Sequence, residues 1–157
     1  MKTEALWQTY SPNDREAVLS ALRDILDACR DGAHGYGLAA QDVHDPRLKE
    51  LFGIYAIQRR AFGEAIERQF VALGGVPRSH DTLGGKVHRK WLDVRASIDH
   101  GAAISMLAEC ERGENTARAR YEHALSIPMP EKLRDLLLNQ LAEIRLTHDQ
   151  LDRMRGR

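Results

Sequence analysis

The chain has 157 residues, enough for one domain with a substantial core. Lysine plus arginine and aspartate plus glutamate each number 23, so no global charge recruits nucleic acid or an anionic membrane. Hydrophobic residues make up 43% and charged residues 29%, a soluble globular composition rich in helix formers. The opening MKTEALWQTYSPND lacks the apolar run of a signal peptide, and no segment approaches the roughly 20 apolar residues that span a bilayer. Two cysteines, Cys29 and Cys110, do not make a disulfide framework. A cytoplasmic protein with no membrane insertion is expected.

Residues 1–12 read as a tail that Leu6, Trp7 and Tyr10 can pack down on the surface, ahead of a single domain over 13–157. Asn13 is a good N-cap with Glu16 as its reciprocal partner. From there Val18, Leu22, Ile25, Leu26, Cys29, Ala33, Tyr36, Ala40 and Val43 recur at helical spacing, which predicts helix A over 14–43. Gly32, Gly35 and Gly37 inside it point to close helix approach.

Asp45-Pro46 restarts the chain as a cap and first helical residue. Leu48, Leu51, Phe52, Tyr55, Arg59, Phe62, Ile66, Phe70 and Leu73 form the stripe of helix B, over 46–73. Gly74-Gly75 and Pro77 end it. The short A–B link makes A and B antiparallel neighbours.

Leu83, Val87, Trp91, Val94 and Ile98 then share one face, opposite Lys86, Arg89, Lys90 and Arg95. This predicts an amphipathic helix over 81–98, about 27 Å long and so about the length of a bundle. Helix C follows over 102–125, with Leu107, Cys110, Glu114, Ala117, Tyr121 and Leu125 inward. Pro128 and Pro130 punctuate the chain before helix D over 130–154, with Leu133, Leu137, Gln140, Ile144, Thr147 and Leu151 inward.

Hairpins A–B and C–D repeat one pattern. Cys29 falls on Cys110, Gly32 on Gly113, Ala33 on Glu114, Leu48 on Leu133 and Arg59 on Ile144. Two repeated hairpins joined by a bundle-length connection describe an all-α, ferritin-like four-helix bundle with an extra crossover helix between B and C. The runs DACRDGAHGYGLAAQDVHDPRLKELF, QRRAFGEAIERQFVALGG, GGKVHRKWLDVRASI and LAECERGENTARARYEHAL resemble an uncharacterised bacterial family of ferritin-like four-helix-bundle proteins, some of whose relatives are associated with stress responses. The resemblance covers residues 14–154 and implies the fold without a settled activity. Members commonly carry Glu at the position matching Ala33, and this sequence departs from the family there.

A dinuclear iron or manganese bundle takes one Glu from each of two helices and Glu-x-x-His from each of the other two. Helix C supplies Glu114, but its mate on helix A is Ala33. Helix D offers Glu143 with Leu146 three residues on; His148, five residues on, lies about 140° round the helix. Helix B has Gln58 and then Ala61. A reduced iron or manganese site of Glu114, Glu143 and His34 or His123 is the alternative to a buried polar network of Glu114, Arg59, Gln140, Tyr55 and Tyr121. The network is the favoured reading, because a buried carboxylate needs a partner and guanidinium matches it geometrically. On that reading Glu114→Gln should perturb stability mildly and leave metal content unchanged. Cys29 and Cys110 read as small core residues rather than a redox pair. The expected function is non-catalytic, through protein–protein interaction or self-association as a homodimer, in a stress setting. The alternative is a metal-binding protein or oxidoreductase with a degenerate carboxylate site.

Overall fold

A computed structural model describes residues 7–77, 102–154 and Gly156. Four helices make up its regular structure: α1 (Pro12–Asp42), α2 (Pro46–Ala72), α3 (Ala102–Leu125) and α4 (Glu131–Met154). The helix expected over 81–98 lies outside the described residues.

Helix α1 begins two residues before the sequence expectation. Ser11, not Asn13, is the cap: its Oγ accepts from Asp14 N at 3.0 Å, and Pro12 takes the first helical position. Asp45 repeats the arrangement at α2, accepting from Arg47 N at 2.9 Å ahead of Pro46. Helix α2 ends where Gly74 turns to a φ of 95°, a conformation open to glycine at little cost. That turn lets Gly74 N reach Val71 O at 3.0 Å and Gly75 N reach Phe70 O at 2.8 Å, which satisfies carbonyls of the last turn. Arg134 closes α3 from the opposite side of its turn, donating to Leu125 O at 3.0 Å and Ile127 O at 3.1 Å.

The cross-helix pairs fix the topology. Arg30 meets Glu67 while Tyr36 meets Phe52, so α1 and α2 are antiparallel. Asp24 O meets Arg120 while Tyr36 meets Glu114, so α1 and α3 are antiparallel as well. Helices α2 and α3 therefore run parallel. Tyr55 with Gln150 and Phe62 with Gln140 set α4 antiparallel to α2. Glycines allow the closest crossing: a Cβ on Gly32 would meet Arg59 Cγ at 3.3 Å, and one on Gly63 would meet Cys29 Cβ at 3.3 Å.

Two apolar clusters fill the interior. One runs from Trp7 and Leu22 through Phe70, Tyr121, Leu137 and Ile144. The other gathers Tyr36, Phe52, Tyr55, Met106, Leu107 and Leu151 at the opposite end. Trp7, expected on the surface in a tail, is 5% exposed and belongs to the first cluster. Its Nε1 donates to Leu73 O at 3.1 Å, so an indole can enter the core without an unmatched polar atom. No described helix is long and apolar enough to cross a membrane.

Candidate functional site

The buried polar and charged residues, Arg59, Glu111, Glu114, Gln140 and Thr147, sit on α2, α3 and α4. Helix α3 carries Glu114 inward because residues 107, 114, 117, 121 and 124 share its buried face. Helix α2 carries Arg59 on the stripe of Phe52, Tyr55, Ile66 and Phe70. The two side chains are 1% and 3% exposed. Arg59 Nη2 lies 2.8 Å from Glu114 Oε1 and 2.9 Å from Oε2. One guanidinium nitrogen thus straddles the carboxylate, while Arg59 Nε donates to Gln58 Oε1 at 3.3 Å.

Tyr36 of α1 completes this group. Its hydroxyl donates to Glu114 Oε1, and its ring lies 5.8 Å from the guanidinium carbon of Arg59. Phe62 flanks the same carbon at 5.8 Å. Burial and then the Glu114 charge hold the Tyr36 phenol well above its ordinary range. Burial alone would lower the Arg59 pKa; the charge of Glu114, with Tyr36, more than offsets this, and the guanidinium is held above its usual value.

The expected five-residue network divides into three groups. Glu114 and Arg59 meet, with Tyr36 as the third member. Tyr121 donates to Gln140 Oε1 at 2.6 Å and lies 3.5 Å from Cys29 Sγ, while Gln140 Nε2 donates to Phe62 O at 3.4 Å. Tyr55 donates to Gln150 Oε1 at 2.5 Å, with its pKa raised by burial and then by the Glu114 charge. Gln140 joins Tyr121 rather than Glu114, because it lies one to two turns nearer the start of α4 than the level of Glu114. Tyr36 was legible as an inward residue of α1; that its hydroxyl would reach α3 required the α1–α3 crossing. No buried side-chain nitrogen or oxygen among the described residues lacks a hydrogen-bond partner.

The structure does not bring Glu143 or His34 to Glu114. Glu143 is exposed on α4, where its backbone carbonyl accepts from Thr147 Oγ1 at 3.0 Å. His34 is exposed on α1, and His123 on α3. Helical phase decides this: each stands off the stripe that its own helix buries. Ala33 lines an open cleft of about 530 Å³ between α1 and α2 with Cys29 and Arg59. A second cleft of about 260 Å³, between α1 and α3, is bordered by Gly32, Tyr36, Cys110, Gly113 and Glu114.

Among the described residues, no three His, Cys, Asp or Glu side chains converge as metal ligands. The donor set around Glu114 therefore does not fit a dinuclear centre, which needs several hard oxygen donors around each ion. Glu111, overlooked in the sequence, is buried near His148, whose Nε2 stands 3.7 Å from its Oε1. The cysteines are free and lie in different halves of the core. Burial pushes the Cys29 thiol up to about 11 and raises that of Cys110 as well, which suppresses thiolate chemistry at neutral pH.

Residues 17–126, which reach from α1 through α3, match the model of a family described as a domain of unknown function, DUF2383. Among solved structures, a mutant of Mycobacterium smegmatis Dps1 superposes with a TM-score of 0.75 at 16% identity, over 93% of this chain and 99% of that one. No curated protein matches the sequence. The likeness to Dps1 carries the fold, and the fold is a ferritin-like four-helix bundle. The family match spans well over half of the chain, and the chain accordingly belongs to DUF2383.

Proposed function

We propose that the protein is a non-catalytic ferritin-like bundle that acts by association, as a homodimer or with a protein partner, in a cytoplasmic stress setting. The observation that carries this reading is the apolar surface on two adjacent helices. Ile54 and Ile57 of α2 are 52% and 69% exposed, and Leu138 and Leu146 of α4 are 47% and 61% exposed. The Tyr55–Gln150 and Phe62–Gln140 pairs set Ile57 and Leu146 at matching heights. Exposed apolar side chains of this size at one height on two helices favour burial against another surface. The one buried carboxylate of the centre, by contrast, already has Arg59 and Tyr36 as partners, which argues for a structural role and no resident cofactor. The stress setting is supported by the family resemblance.

Size-exclusion chromatography with light scattering tests the reading. Wild-type protein should run as a dimer, and Ile57→Glu/Leu146→Glu should run as a folded monomer. A strict wild-type monomer that retains no partner on pull-down would count against it. The metal-binding or oxidoreductase alternative predicts instead stoichiometric iron or manganese in the purified protein.

A further inference from the structure

Metal-bearing bundles of this architecture neutralise their ions with inward carboxylates at mid-height. Here the same layer holds one carboxylate and one guanidinium. Arg59 Nη2 bridges both oxygens of Glu114 at 2.8 and 2.9 Å, as a bound cation would. Tyr36 donates to one of those oxygens, and the rings of Tyr36 and Phe62 flank the guanidinium. The stem of Arg59 passes α1 at Gly32, where a Cβ would press on its Cγ at 3.3 Å. The arginine is thus admitted, packed and charge-matched by residues of three different helices.

We propose that Arg59 is the resident cation of the bundle centre, a tethered guanidinium that fills the place a metal ion takes in metal-bearing bundles and keeps divalent ions out. The charge balance supports this. One guanidinium matches one carboxylate, both side chains almost fully buried; a divalent ion added beside them would set three positive charges against one negative. Uncompensated buried charge is among the costliest arrangements in a protein interior. A metal bound to both oxygens of Glu114 would have to displace Arg59 Nη2, which already bridges them.

Chemical rescue tests the proposal. Arg59→Ala leaves Glu114 with a void shaped for a planar cation. Guanidinium chloride at about 10 mM should raise the melting temperature of this variant by about 3 °C or more over equal sodium chloride. The rise should be absent from wild type and from Arg59→Ala/Glu114→Gln. Wild-type protein dialysed against manganese chloride should show no bound-manganese signal by electron paramagnetic resonance. Should Arg59→Ala fail to fold, Arg59→Lys replaces it: this variant keeps the charge, and it should melt within a few degrees of wild type and stay free of manganese. Guanidinium without effect on Arg59→Ala would overturn the proposal. So would Glu114-dependent manganese uptake by wild type, or an Arg59→Lys variant that also fails to fold.

Discussion

Glu114 of α3 and Arg59 of α2 form an ion pair that is almost sealed from water, with side chains 1% and 3% exposed and a closest approach of 2.8 Å. The sequence leads one to expect a mild effect of Glu114→Gln. The burial of the pair makes the effect larger, because Gln keeps the shape but leaves the guanidinium charge unmatched. Removing one partner of such a pair costs about 3–5 kcal/mol. Urea denaturation of Glu114→Gln should show a loss of that order. The double variant Arg59→Met/Glu114→Leu should recover most of it, since the pair as a whole adds little net stability. A double variant no better than the worse single variant would refute this account.

Tyr36→Phe isolates the third member. It removes the hydroxyl that donates to Glu114 Oε1 and leaves the ring against Phe52 and Tyr55. A hydrogen bond to a charged group contributes about 1.5–3 kcal/mol, and the variant should lose stability in that range. Tyr55→Phe should lose less, because its partner Gln150 is only part-buried and uncharged. Equal losses for the two would mean that the Glu114 charge does not strengthen the Tyr36 bond.

Alkaline pH should unfold the protein through its buried thiol and phenols. The Cys29 pKa is raised from 9.0 to about 11, mainly by burial. Between those values the unfolded chain has released the thiol proton and the folded chain has not. Rising pH therefore favours unfolding, and stability fully present below pH 9 is lost up to about pH 11. Two pH units correspond to about 3 kcal/mol. Tyr36 and Tyr121, also raised chiefly by burial, extend the loss upward from the ordinary tyrosine value of 10.0. Thermal melts across pH 8–11 should fall steadily in wild type and less steeply over pH 9–11 in Cys29→Ala, measured against each protein's own value at pH 8.

Gly75→Ala should disturb the end of α2 more than its place in a turn implies. A Cβ at Gly75 would come within 2.5 Å of the Phe70 ring, which is 1% exposed and cannot swing clear. Overpacking of this kind costs about 1–3 kcal/mol. Gly74→Ala meets open space but must hold a φ of 95°, at about 1 kcal/mol. Differential scanning calorimetry should rank Gly75→Ala below Gly74→Ala, and the reverse order would show that backbone conformation, not contact with Phe70, governs this turn.

Much of the architecture was written in local pattern. Helical periodicity places Cys29, Arg59, Glu114 and Tyr121 inward, and Asp45-Pro46 and Gly74-Gly75 set boundaries within a residue or so of those observed. At the start of α1, Ser11-Pro12 competes with Asn13 as a start signal, and proline at the first helical position decides for Ser11. Glu143 enters through its place in the Glu-x-x-His pattern and His34 through its place beside the inward stripe of α1, but ligand geometry depends on the phase about each helix and on the crossing of helices, and both residues are exposed.

The sequence by itself determined the four helices, their inward stripes, the repeat, and the presence of one carboxylate without its mate at Ala33. Only the tertiary structure decided which side chains that carboxylate meets. The antiparallel crossing of α1 with α3 brings the Tyr36 hydroxyl to Glu114, and the close approach at Gly32 admits Arg59 beside it. The difference is physical. Periodicity is set by the rise and turn of a single helix, whereas the meeting of Glu114 with Arg59 and Tyr36 is set by the relative height and crossing of three helices, which no single segment encodes.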